Sequence, residues 1–122
     1  MTNKIEGKCH CENVRISIPQ LTNFATRCTC GICSRYACVW GYFTESEVGV
    51  SIGQLGVEEY CYGDKQINFI RCKNCGCVTH YTSTKSGPEQ RLAVNYLMFE
   101  RTVLDKLVIR VFDGADTWQY LD

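Results

Sequence analysis

A mainly β protein with little helix is the fold class that this sequence predicts, and three observations carry the prediction. Apolar and polar residues alternate with period two in several segments, helical periodicity is nearly absent, and most of the ten cysteines fall into three tight clusters. The 122 residues suit one domain, residues 1–122, and are too few for two separate cores. Apolar residues make up 45% of the chain, enough for a packed interior that bound metal would still reinforce.

Taken in order, Val14–Ile18 alternates and stops at Pro19, which lacks a backbone donor. Ala37–Phe43 is a dense apolar and aromatic run. Val57–Tyr62 alternates and breaks at Gly63-Asp64, a turn signal that leads into Gln66–Arg71. Val78–Thr82, Leu92–Phe99 and Leu107–Phe112 complete the strands, and Asp113-Gly114 marks the last turn. Helical signals reduce to a turn over Cys33–Ala37 and a short helix over Thr102–Asp105 with Thr102 as its cap. Ser46–Gly49 is too closely flanked by glycine to predict a helix. The whole reads as an antiparallel sheet protein, with cysteine clusters at the strand ends and no linker, repeat or low-complexity tract.

Charge excludes some partners. Thirteen basic residues balance thirteen acidic ones, and no run of like charge exceeds two, so neither a nucleic-acid tail nor a polybasic membrane patch is expected. No stretch approaches the roughly 20 apolar residues of a membrane span. Lys4, Glu6 and Lys8 interrupt the first residues and no apolar segment follows, so a signal peptide is not expected and the chain reads as cytoplasmic. Thiols in a reducing compartment serve metals or chemistry rather than disulfides.

The clusters are Cys9-x-Cys11, Cys28-x-Cys30-x-x-Cys33 and Cys72-x-x-Cys75-x-Cys77. Cys72-Lys73-Asn74-Cys75-Gly76 has the form of a zinc knuckle, in which a tight turn puts both sulfurs on one side and Gly76 accepts the backbone conformation required. Zinc takes four ligands, about 2.3 Å away for sulfur, so one knuckle needs a second pair. Cys9 and Cys11 are the simplest choice. They would tie the first strand to the middle of the chain. Cys28, Cys30 and Cys33 then remain as three ligands, the pattern of a zinc with its fourth position open to water or substrate. The alternative is closure by Cys38, Cys77, His10 or His80, and spacing alone leaves both this choice and the matching of pairs open. Two Zn²⁺ per chain are expected.

Cys38 and Cys61 lie in apolar strand segments and read as small buried hydrophobes, and Cys77 as a strand residue rather than a spare ligand. His10, between two ligands, should point away from the metal. His80 reads as an ordinary sheet histidine. Most of Tyr36, Trp40, Tyr42, Phe43, Phe69, Tyr81, Tyr96, Phe99 and Trp118 are expected to fill the core rather than stack bases, because no basic stripe accompanies them.

Three further sets of residues bear on function. Gly7-Lys8-Cys9-His10-Cys11-Glu12-Asn13-Val14, Cys28-Thr29-Cys30-Gly31-Ile32-Cys33 and Arg71-Cys72-Lys73-Asn74-Cys75-Gly76 occur in order, with Ser34-Arg35-Tyr36, Tyr62-Gly63-Asp64-Lys65, Cys77-Val78-Thr79-His80, Val94-Asn95 and Phe112-Asp113-Gly114-Ala115-Asp116-Thr117-Trp118 between and after them. Together they cover nearly the whole chain and resemble the glutathione-dependent formaldehyde-activating enzyme family, which includes the centromere-protein-V-like proteins. The resemblance implies a β-tent of small antiparallel sheets around a structural zinc held by Cys9, Cys11, Cys72 and Cys75. It implies a second, catalytic zinc on Cys28, Cys30 and Cys33, with polar contacts from His80, Tyr36 or Arg35. The implied activity is that of a carbon–sulfur lyase on a small thiol–aldehyde adduct, S-(hydroxymethyl)glutathione in the family's named reaction. Leu97-Met98 depart from the family pattern, standing after Tyr96 where members like this one tend to carry an arginine. The alternative expectation is a non-catalytic, zinc-stapled protein-binding module.

Overall fold

In the computed structural model, which describes residues 4–61, 67–84 and 90–122, ten strands build two sheets. The smaller sheet joins β1 (Ile5–Lys8), β2 (Val14–Ile18) and β5 (Gly49–Ile52) in that order. The larger one contains β3 (Ala25–Cys28), β4 (Trp40–Thr44), β6 (Val57–Tyr60), β7 (Ile67–Cys72), β8 (Val78–Ser83), β9 (Arg91–Asn95) and β10 (Ile109–Phe112). Its order is β10-β3-β4-β9-β8-β7-β6. Among the described residues, helix is limited to α1 (Gly31–Tyr36), α2 (Arg101–Leu104) and two single 3₁₀ turns, Glu45–Glu47 and Tyr96–Met98. The mainly β reading therefore holds, with two sheets meeting at a cysteine cluster.

Period-two alternation sorts side chains to the two faces of the large sheet. On β9, Leu92 and Val94 join Val39 and Phe43 against Ile16 and Ile18 of the small sheet, forming the core between the sheets. Ala93 points the other way, into a second cluster with Trp40, Phe69, Tyr81, Cys33 and Cys38. A third, smaller cluster of Cys9, Val14 and Cys72 lies where the β1–β2 and β7–β8 turns meet.

Several elements differ from the sequence expectation. One pairing is parallel: Phe112 of β10 lies beside Cys28 of β3. The parallel register brings the C-terminal ends of both strands together, which sets the Asp113-Gly114 turn against the loop after Cys28. The strand expected from Ala37 starts only at Trp40, because Ala37 takes the left-handed conformation (φ 56°) that ends α1. The strand expected over Leu92–Phe99 stops at Asn95, whose side chain accepts the Leu97 N–H at 3.1 Å and donates to the Val78 carbonyl at 2.7 Å. Glu100 rather than Thr102 precedes α2. Strands β1, β3 and β5 are four residues each, too short to show a period in sequence. Tyr62, the Gly63-Asp64 turn, Lys65 and Gln66 lie outside the described residues.

Candidate metal centres

Two tight turns deliver the first cysteine group. In the β1–β2 turn, the Cys9 N–H bonds the Val14 carbonyl and the Glu12 N–H bonds the Cys9 carbonyl, both at 3.0 Å, while Glu12 takes a φ of 69°. The β7–β8 turn repeats the plan. The Cys72 N–H reaches the Cys77 carbonyl at 3.0 Å, the Gly76 N–H reaches the Cys72 carbonyl at 2.9 Å, and Gly76 has a φ of 80°. Backbone amides also face the sulfurs: Val14 N–H lies 3.3 Å from Cys9 Sγ and Cys75 N–H 3.5 Å from Cys72 Sγ.

As a result the four sulfurs of Cys9, Cys11, Cys72 and Cys75 lie within 4.8 Å of one another. Cys9 and Cys11 Sγ are 3.8 Å apart, Cys11 and Cys72 Sγ 3.5 Å. The edge of a tetrahedron with metal–sulfur bonds of about 2.3 Å is about 3.8 Å, so the spacing suits a four-thiolate cation site. Burial raises the Cys9 thiol to about 12, against the pull of the Val14 amide. Burial also opposes ionisation of Cys75, yet the backbone amides of Cys77 and Cys11 outweigh it and bring that thiol down to about 6. The Cys72 thiol is lowered in the same way, burial being outweighed by the Cys75 amide and the Asn13 side chain. Asn13 Nδ2 donates to the Gly56 carbonyl at 2.9 Å and approaches Cys72 Sγ at 3.4 Å, linking the cluster to the β5–β6 turn.

The second group is local. Cys28 ends β3, Cys30 is the N-cap of α1, and Cys33 follows in its first turn, all three sulfurs lying within 4.8 Å. The Cys30 N–H faces Cys28 Sγ and the Cys33 N–H faces Cys30 Sγ, each at 3.5 Å. Burial raises the Cys28 thiol. At Cys30 it is outweighed, chiefly by the Cys33 amide, and that thiol is lowered. The C-terminal segment clamps this loop from outside. Asp113 accepts from Thr29 Oγ1 at 2.8 Å, and Gly114 lies so close that a Cβ there would stand 2.6 Å from Cys28 Sγ. Only glycine lets the turn approach the sulfur this closely.

Among the described residues, no His, Cys, Asp or Glu joins these three sulfurs as a fourth. Cys38 is buried, its sulfur turned to the Tyr36 carbonyl at 3.8 Å. Cys77 sits beside the first group, where its thiol is raised by burial and meets the His10 amide. The His10 side chain is exposed. His80 is a buried sheet residue whose Nδ1 pairs with Thr79 Oγ1 at 2.8 Å. Cys38, Cys61 and Cys77 all fall just outside strands rather than within them, and Cys61 is half-buried rather than buried. A cavity of about 290 Å³ opens instead on Cys28 and Cys33, bounded by Arg27, Ser34, Ala37 and Val111. A larger cleft of about 370 Å³ lies beside Lys8, Cys9 and Glu100, at the first group rather than the second.

The fit to a metal shows in one further group. Trp40 Nε1 is, among the described residues, the one buried side-chain nitrogen or oxygen with no hydrogen-bond partner. Its ring shares a cluster with Cys33, whose thiol is raised by burial against the pull of the indole N–H. A neutral thiol is a weak acceptor and a metal-bound thiolate a good one, so the donor set suits a thiophilic cation such as zinc. In the sequence Trp40 reads as core filling and Gly114 as half of a turn dipeptide, while Asn13 stands out only as part of the Gly7–Val14 motif.

No protein-family model and no curated protein matches the chain. A solved structure does. It is a crystal structure of a Rhodobacter sphaeroides protein, a structural-genomics target, 24% identical to this chain. The match covers 86% of this chain and 99% of the other with a TM-score of 0.68. At that identity the likeness shows the fold.

Proposed function

We propose that the protein is a zinc-dependent carbon–sulfur lyase acting on a small thiol–aldehyde adduct, of which S-(hydroxymethyl)glutathione is an example. It would hold two zinc ions, a structural one on Cys9, Cys11, Cys72 and Cys75 and a catalytic one on Cys28, Cys30 and Cys33. One observation carries the reading: three convergent thiols have no fourth ligand among the described residues, and two of them, Cys28 and Cys33, line a cavity of about 290 Å³. The family resemblance supplies the substrate class.

In the synthetic direction a carbon–sulfur bond forms and the carbonyl π bond opens. The proton lost by the thiol is the one gained by the new hydroxyl, so nothing is oxidised or reduced. Zinc bound there would favour the ionised thiol or polarise the aldehyde oxygen. The chain's own task is placement. The end of β3 and the start of α1 fix the sulfurs, Asp113 pins Thr29 between two of them, and Gly114 backs Cys28. Two small reactants meeting at the cavity beside Cys28 and Cys33 would be held together, which is where most of the acceleration of an easy addition arises.

Ten free cysteines support a reducing compartment, which we take to be the cytoplasm. No described helix is long and apolar enough to cross a membrane. The binding-module reading draws on Val108, Ile109, Trp118 and Leu121, which leave apolar surface exposed near the β10 edge.

Exchange spectroscopy by NMR on formaldehyde with a panel of low-molecular-weight thiols, glutathione included, tests the lyase. Zinc-loaded protein should speed exchange without moving the equilibrium. No acceleration with any thiol would turn the assignment to the binding module.

A further inference from the structure

The three sulfurs of the second centre are not equally supported. Cys28 and Cys30 each face a backbone amide of their own loop, at 3.5 Å. Any sequence with this backbone would supply those donors. No described backbone hydrogen bond reaches Cys33 Sγ, and Cys33 is 8% exposed, so water has little access to make good the difference. A thiolate in such a place needs a side-chain donor.

Trp40 is that donor's natural source. It is 1% exposed, belongs to the same packed cluster as Cys33, and carries the unpartnered buried N–H. The ring is held in place. Tyr81 packs edge-on at 4.8 Å between centroids, Phe69 lies at 6.1 Å, and the Trp40 backbone is paired with Asn95 on one side and Thr26 on the other. A buried donor fixed this firmly and left unpaired is rare unless the site is completed by something else.

We propose that Trp40 is a positioning residue of the second centre, its indole N–H donating to the Cys33 thiolate when a metal ion is bound. Each of the three sulfurs then has at least one donor, backbone amides at Cys28 and Cys30 and the indole at Cys33. The bond orients Cys33 and withdraws charge from its sulfur, the role that outer hydrogen bonds play for ligands in other metal sites. The inference rests on the metal-binding reading of Cys28, Cys30 and Cys33 and is independent of whether the protein is a lyase.

The test uses the full chain and zinc, with cobalt as a spectroscopic probe. In protein labelled with ¹⁵N-tryptophan, filling the second centre should shift the Trp40 indole resonance and slow its hydrogen exchange. Trp118, 72% exposed, should stay where it is. Trp40→Phe should weaken the second zinc by about 10–100-fold, the usual loss for such partners, and shift the sulfur-to-cobalt charge-transfer band. A second variant carrying benzothienylalanine at position 40 keeps the shape of the ring and removes the N–H. It should reproduce both effects, and it alone decides if Trp40→Phe disturbs packing. Overturning results are a Trp40 resonance that ignores the second metal, or wild-type affinity and spectrum in the isosteric variant. A wild-type chain that binds no second metal would overturn the metal reading along with this one. Loss of lyase activity in the exchange assay alone would leave the Trp40 assignment standing.

Discussion

The two cysteine groups offer the same ligand atom in opposite settings. Cys11 and Cys72 meet across 61 positions of sequence and join the hairpin of one sheet to the turn of the other. Cys28, Cys30 and Cys33 span six positions at the start of one short helix. Closing a long loop removes far more freedom from the unfolded chain than closing a short one, so a cation at the first centre acts on the fold. At the second it acts mainly on three sulfurs. The number of thiols follows the same division, with four around the first centre and three at the second, where a cavity opens on Cys28 and Cys33.

Breaking the centres one at a time gives the largest contrast. Structural zinc contributes on the order of 10 kcal/mol of apparent binding energy in small domains, against a typical total stability of about 5–15 kcal/mol. Cys72→Ser or Cys9→Ser should therefore leave the chain unfolded or insoluble. Cys30→Ser should melt close to wild type with one zinc fewer. Gly114→Ala should resemble Cys30→Ser, because the new Cβ, 2.6 Å from Cys28 Sγ, displaces a ligand without touching the first centre. Melting curves with a zinc assay on the set decide this. Equal collapse of Cys30→Ser and Cys72→Ser would make both centres structural.

A smaller effect sharpens the comparison from outside both centres. Burial lowers His80 from 6.5 to about 4. The unfolded chain takes up a proton near the ordinary value while the folded one resists it. This contribution is thus complete above about pH 6.5 and disappears as pH falls toward 4. The shift is worth roughly 3 kcal/mol at most. Urea unfolding at pH 7 and pH 5 should show a steeper loss for wild type than for His80→Gln, since acid release of metal is common to both. Parallel losses would mean that the acid response belongs to the thiolates alone.

How much of this was legible beforehand depended on whether the signal was local. Val14–Ile18 shows its alternation within five residues, and the strand was found with its true ends. The cysteine clusters announce themselves by spacing, and both groups expected from the resemblance come together in space. The edge strand β10 was foreseen, but its parallel register beside β3 depends on 80 intervening residues and leaves no mark in either segment. Ala37 carries no hint of its left-handed turn, since alanine has none of glycine's freedom there. Gly114 and Trp40 were visible as residue types. Their approach to Cys28 and Cys33 exists only once the tertiary structure has assembled.

Stepwise removal of metal tests the division of labour between the centres most directly. Protein carrying two zinc ions is titrated with a chelator while native mass spectrometry counts the metal and circular dichroism follows the sheets. The first ion should leave with the fold intact, taken from Cys28, Cys30 and Cys33, and the second should leave together with the sheet signal. Loss of the fold with the first ion, or a chain that keeps its sheets after both have gone, would contradict it.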